Sequence, residues 1–222
     1  MYMENKCACE SGLLVRRVSR VDDASAVPAV FASSGVEYHS IGCVNWPSQF
    51  PYCPDVRFAV AHCGECLYIH YKVREQGVLA ACACDREHVW EDSCVEFFCA
   101  PGDDDTYINL EANCTGCLYS CIGKDRNSRE FIPDSAYASI RRWSSLGGPI
   151  NPELKRETEW ELALAVPAAV YGFDDFAGRR VRGNFYKCGD NLSVPHFVSW
   201  APIDLPAPDF HRPDFFAPIR FE

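Results

Sequence analysis

Residues 55–74 limit what this chain can fold into more than any other stretch. From Asp55 to Cys63 the side chains alternate, with Val56, Phe58 and Val60 on one face. From Cys66 to Arg74 they alternate again: Leu67, Ile69, Tyr71 and Val73 on one side, Tyr68, His70, Lys72 and Arg74 on the other. A period of two sends successive side chains to opposite faces of a strand, so one face is expected to enter a core and the other to meet water. Gly64-Glu65 between the two runs is a tight-turn signal, which predicts an antiparallel hairpin.

Similar short runs punctuated by turns occur at 13–18, 36–41, 93–100, 107–113, 117–122, 181–188, 196–200 and 215–221, with a weaker one at 77–85. The run 158–166 puts Trp160, Leu162, Leu164 and Val166 inward and Glu159 and Glu161 outward. Pro167 stops it and suits the first turn of a short helix at 168–171, and a second short helix is expected around 135–141. Residues 22–55 read as a Pro/Ser/Gly-rich lead-in, and 201–213 as a Pro-rich cover for one end of the domain. Roughly nine to eleven strands with almost no helical periodicity predict an all-β fold. The expectation is one domain over residues 1–222, an antiparallel β-sandwich of immunoglobulin-like or jelly-roll-like type with long loops.

A net charge of −10 argues against nucleic acid or an anionic membrane as partner, because both demand basic patches. No apolar run approaches the roughly 18 residues of a membrane span. The opening residues, Met1 to Cys7, lack a signal-peptide layout, so a cytoplasmic location is expected. Fourteen cysteines then need an account. Cys7-x-Cys9, Cys63-x-x-Cys66, Cys82-x-Cys84 and Cys114-x-x-Cys117 have spacings that suit tetrahedral zinc. Yet 47 residues (67–113) separate the two Cys-x-x-Cys pairs, and Cys66, Cys94, Cys99 and Cys188 fall in strand-like runs, where cysteine serves as a small hydrophobe. Reduced, mostly buried thiols are the expectation, with a thiol-rich metal-binding or interaction module as an alternative. Haem held between Met and His is disfavoured, since the two methionines are Met1 and Met3.

Chemistry concentrates at residues 89–99. Trp90 stands beside Glu91 and Asp92, with Glu96 on the strand that follows. A ring beside carboxylates is a way to grip sugars, the ring on the apolar face of a pyranose and the acids on its hydroxyls. A core tryptophan beside a solvated acidic turn fits the same residues. Glu96 shares a face with Cys94 and Phe98, and is expected to be half-buried and hydrogen-bonded. Tyr107, Asn109, Glu111 and Asn113 also share one face, either a polar binding floor or an ordinary exposed surface. A third concentration of aromatic and polar residues spans 183–190, 195–200 and 208–213, including Phe210, His211 and Arg212. A glycosidase reading would make Glu91 or Asp92 an acid pair with Glu96.

The run Trp90-Glu91-Asp92-Ser93-Cys94-Val95-Glu96-Phe97-Phe98 resembles the signature strand of family 9 carbohydrate-binding modules. Residues 107–116 resemble the strand after it, and Ser199-Trp200-Ala201-Pro202 with His211-Arg212-Pro213 resemble the tail, in particular of the stand-alone bacterial proteins of this type. The resemblance spans about residues 55–222. It implies a β-sandwich that clamps a sugar, often a chain end, between two aromatic rings without catalysis. Trp90 falls at the first ring, Phe210 (a smaller ring) at the second, and Glu96 at the sugar-bonding acid. Glu111 stands where the family has a sugar-bonding Arg, and Ala207 near where it has an Asn. Together with the polar face of 107–113 and the nearby Arg212, the resemblance gives a candidate ligand set of Trp90, Glu96, Glu111, Asn113, Phe210 and Arg212, with a carbohydrate as partner. No cofactor is implied beyond a structural calcium, for which Asp103-Asp104-Asp105 offer oxygens.

Overall fold

The structure, a computed structural model, describes residues 12–222. Cys7, Cys9, Met1 and Met3, and the readings made on them, lie outside the described residues. The expected hairpin forms from Asp55–His62 and Cys66–Glu75, paired from Asp55↔Arg74 to His62↔Leu67. Gly64 turns it at φ +95°, a left-handed conformation that a residue with a Cβ resists.

Two layers grow outward from one seam. The first runs in the order Arg129–Phe131, Leu118–Gly123, Tyr107–Asn113, Cys94–Ala100, Arg180–Cys188, Ala217–Phe221 and Leu13–Arg17. The second continues from Leu13–Arg17 through Asp55–His62, Cys66–Glu75 and Thr158–Pro167 to Arg141–Ser144. The result is the predicted β-sandwich, in the form of a curled mixed sheet. The expected antiparallel pattern holds except at the seam, where Leu13–Arg17 runs parallel to both neighbours. Leu13 to Val15 pair with Ile219 to Phe221, and Arg16 and Arg17 with Ala61 and His62.

Alternation decides what lies between the layers. Phe58 of one layer stacks on Phe185 of the other with centroids 3.7 Å apart, and Phe185 stacks on Phe97 at 4.4 Å. Tyr71, Trp160 and Trp200 pack into the same core. Burying such side chains is worth about 1.5–3 kcal/mol each relative to leaving them exposed.

Two expectations need correcting. The lead-in contains a helix, Val27–Ser34, with Pro28 in its first turn and Gly35 ending it at φ 63°. Its Val27 and Phe31 pack on Ala59, Ala61, Tyr68, Ala163 and Ala165. Tyr68 and His70, expected in water, are therefore buried beneath this segment. The Tyr68 hydroxyl accepts from the Val21 N–H at 2.9 Å. Residues 201–213, in turn, do not cap an end of the sandwich. They cross the outer face of the first layer, where Ile203 and Phe210 join Trp46, Phe98, Tyr107 and Tyr186 in a second apolar cluster.

Candidate functional site

The outer face of the first layer carries the chemistry. On Cys94–Ala100 alternate residues part company: Phe97 enters the sandwich core, while Cys94 and Phe98 join the outer cluster. Glu96 lies directly opposite Glu111 on one neighbouring strand and opposite Tyr186 on the other, and both carboxylates are only 3% exposed. The expectation of a half-buried Glu96 thus understates its burial. Glu96 accepts from the Cys188 thiol at 3.0 Å, and Glu111 accepts from the Asn109 amide at 2.8 Å. Arg129 approaches Glu111 at 3.8 Å.

Burial raises the Glu96 carboxyl to about 7, with Asp190 adding to the rise, and the Cys188 hydrogen bond and Arg129 opposing it. Burial and the facing Glu96 hold the Glu111 carboxyl well above the usual carboxylate range. Two like charges this close and this dry cannot both persist, so the pair retains a proton at neutral pH and offers both donor and acceptor.

Over this floor opens a cavity of about 280 Å³, near the low end of the ~300–1,000 Å³ typical of small-molecule sites. Trp90, Phe197 and Phe210 supply its aromatic walls, Glu96, Glu111 and Cys188 its base, and Arg126, Arg129, Asp190, Asp209 and His211 its polar rim. Trp90 is set by the short turn Val89–Glu91, which buried Val89 anchors. The Asp190 N–H donates to the Trp90 carbonyl at 3.2 Å, and the Asn191 N–H to the Glu91 carbonyl at 3.1 Å, so residues 189–192 brace the turn. His88 stacks on the Trp90 ring at 4.5 Å, and Tyr119 meets it edge-on at 4.9 Å. Phe210 stacks on Tyr186 at 4.2 Å and 10°, which commits one of its faces to the protein.

Trp90, Glu96, Glu111 and Phe210 therefore converge, and the other two residues of the expected set do not. Asn113 is buried outside the cavity, where its amide bonds Asp92 at 2.9 Å and its carbonyl accepts from the Cys117 N–H at 2.9 Å. Arg212 turns away to Asp214 at 2.8 Å and lies against Phe215. Neither Glu91 nor Asp92, the partners of Glu96 in the glycosidase reading, lines the cavity. Asp92 accepts from the Ala81 and Cys82 N–H groups and from Asn113, while Glu91 accepts from Asn191 at 2.8 Å.

Sequence reading missed the cations. Arg129 and Arg126 reach the rim because Arg129–Phe131 pairs onto Leu118–Gly123, extending the sheet beyond Tyr107–Asn113. Arg129 thereby places a guanidinium beside Glu111. Arg126 pairs with Asp209 at 3.1 Å. His211, between the Tyr107 hydroxyl at 2.9 Å and Arg129, is held neutral, its pKa lowered to about 2 by burial and the two arginines.

The acidic turn does not fit a calcium cage. Asp104 accepts from Thr106 and lies 3.5 Å from Lys124, and Asp105 pairs with Arg182 at 2.6 Å. Among the described residues no disulfide forms, and Cys66, Cys94, Cys99, Cys114, Cys121 and Cys188 are buried. No helix among them is long and apolar enough to cross a membrane.

A β-sandwich with an aromatic-walled, carboxylate-floored cavity on one sheet face defines a carbohydrate-binding-module type of protein. Residues 25–221 match the model of carbohydrate-binding family 9, and the chain belongs to that family. A solved Bacteroides uniformis ATCC 8492 protein, provisionally described as carbohydrate-binding, is 40% identical, with 95% of this chain and 98% of that one covered and a TM-score of 0.91. A family 9 module from Caldicellulosiruptor kristjanssonii in complex with glucose shares the fold at 12% identity, covering 95% of each chain with a TM-score of 0.63. Its cellotriose complex gives 13% identity, 95% and 93% coverage and a TM-score of 0.61. No curated protein matches the chain.

Proposed function

We propose that this protein is a non-catalytic carbohydrate-binding module whose cavity takes a single sugar unit, either free or at the end of a chain. The observation that carries the reading is the pairing of aromatic walls, Trp90 and Phe210, with the buried Glu96–Glu111 floor and the Arg126/Arg129 rim. Trp90 and Phe210 would meet the apolar faces of the ring. Glu96 and Glu111 would bond hydroxyls, and Arg129 and Arg126 would donate from the rim. Asn113 and Arg212 act only indirectly in this scheme, by holding the loops around the cavity. The solved family 9 module binds glucose and cellotriose, which makes glucose and its β-linked oligomers the first ligands to try.

Titration calorimetry against glucose, cellotriose and a broader glycan panel tests the proposal. Wild type is expected to bind weakly, since water competes for every hydroxyl, and Trp90→Ala to weaken binding at least tenfold, about 1.4 kcal/mol. Absence of binding to every glycan, or equal binding by Trp90→Ala, overturns it.

A further inference from the structure

The base of the cavity holds two thiols that sugar binding does not require, beside Glu96, which it does. Cys94 and Glu96 sit two residues apart on one face of their strand, and Cys188 lies directly opposite Cys94 in the antiparallel register with Arg180–Cys188. The two thiol sulfurs and a Glu96 oxygen all lie within 4.8 Å of one another, and all three residues are buried. Among the described residues this is the group in which three such donors converge. The two Cys-x-x-Cys pairs, whose spacing suggested zinc, contribute nothing to it.

We propose that Cys94, Cys188 and Glu96 form a binding site for a thiophilic divalent cation of the zinc class. The spacing of the three ligand atoms suits such an ion. Zn–S bonds of about 2.3 Å and Zn–O bonds of about 2.0–2.2 Å place tetrahedral ligand atoms roughly 3.5–3.8 Å apart, inside the observed spread. The Cys188 thiol already points at Glu96, with sulfur 3.0 Å from Oε1. An ion between them replaces that hydrogen bond with two metal bonds. On binding, the two thiols release their protons to solvent, the proton held by the acid pair stays on Glu111 or leaves to solvent, and the ion gains two thiolates and one carboxylate. Glu96 and Cys188 both line the cavity, so an ion can enter there, and a solvent molecule would complete a four-coordinate shell. Three protein ligands and one open position is the arrangement of a reactive rather than a closed structural zinc site. An occupied site would occupy one of the acids proposed to face the sugar and leave the fourth coordination position available to a hydroxyl. The metal proposal is tested without any saccharide, so it stands or falls separately from sugar binding.

Reduced protein is titrated with cobalt(II), the spectroscopic stand-in for zinc, under a non-thiol reductant. The expected result is one equivalent bound, with a thiolate-to-cobalt charge-transfer band and the intense visible bands of a tetrahedral ion. Cys94→Ser and Cys188→Ser should each lose at least half of the charge-transfer intensity, and Cys63→Ser/Cys66→Ser and Cys7→Ser/Cys9→Ser should retain all of it. No thiolate band overturns the proposal, as does a band unchanged in the Cys94 and Cys188 variants or removed by the control substitutions. Should the serine variants fail to fold, zinc-dependent thermal stabilisation decides the matter. One equivalent of zinc should raise the melting temperature of wild type and leave Glu96→Gln unmoved. A rise of equal size in both overturns the site.

Discussion

The Lys187 ammonium lies 2.8 Å from the Glu75 carboxylate, and neither side chain has any exposure to solvent. The pair spans the two layers, Lys187 on Arg180–Cys188 and Glu75 on Cys66–Glu75. Trp160 donates to the other Glu75 oxygen at 2.7 Å, and Lys187 also donates to the Cys188 carbonyl at 2.8 Å and to His196 Nε2 at 2.7 Å. His196 then donates from Nδ1 to the Val194 carbonyl at 2.9 Å, and burial and Lys187 keep it neutral, its pKa lowered to about 3. Lys187→Met removes one partner and strands a buried carboxylate. Urea denaturation should show a loss of about 3–5 kcal/mol, and Glu75→Leu/Lys187→Met should regain much of it.

Sugar affinity should separate the rim cation Arg129 from the cation that sequence reading chose, Arg212. Arg129→Ala is expected to weaken glycan binding tenfold or more in calorimetry, because it removes the donor beside Glu111. Arg212→Ala, which removes contacts to Asp214 and Phe215 outside the cavity, should bind within twofold of wild type.

His70 predicts a specific acid sensitivity. Its Nδ1 meets the Tyr38 hydroxyl at 2.6 Å and its Nε2 the Glu161 carboxylate at 2.9 Å, the pattern of a neutral ring that accepts from one and donates to the other. Burial lowers its pKa to about 4, with Glu161 only partly offsetting this. The unfolded chain takes up this proton near 6.5 and the folded chain only near 4, so the neutral ring stabilises the fold above pH 6.5, and that stability is lost as pH falls between these values. Denaturant midpoints measured from pH 7 to 4 should fall less steeply for His70→Gln than for wild type, by up to about 1.4 kcal/mol per pH unit.

Gly183 marks where the sheet admits no side chain. A Cβ there would sit 2.7 Å from the Phe98 carbonyl oxygen and 3.1 Å from the Phe97 ring. Gly183→Ala should cost about 1–3 kcal/mol in urea denaturation.

Period-two patterning made most of the sandwich legible, and the limits of that reading are equally physical. Residues 55–74 announced their hairpin because alternation and turn chemistry agree. The helix Val27–Ser34 was hidden because its proline and serines read as loop, although Pro28 and Gly35 are its start and stop signals. Trp90, Glu96, Glu111 and Phe210 were readable from residue types and family resemblance. Arg126 and Arg129 were not, since only strand pairing brings them to the rim. Cys94 and Cys188 were read as small apolar positions, because their convergence with Glu96 depends on a register between distant strands.

The seam at Leu13–Arg17 bears on the timing of folding. That strand lies between Ala217–Phe221 and Asp55–His62, so the edge that joins the two layers needs a segment made about two hundred residues later. During synthesis the hairpin 55–75 can form early, but the seam must wait until Ala217–Phe221 has been made. Until then one edge of each layer stays unpaired and exposed to other chains. Crowded expression is therefore the condition under which this protein should aggregate most readily, and slower translation or a lower growth temperature should raise its soluble yield.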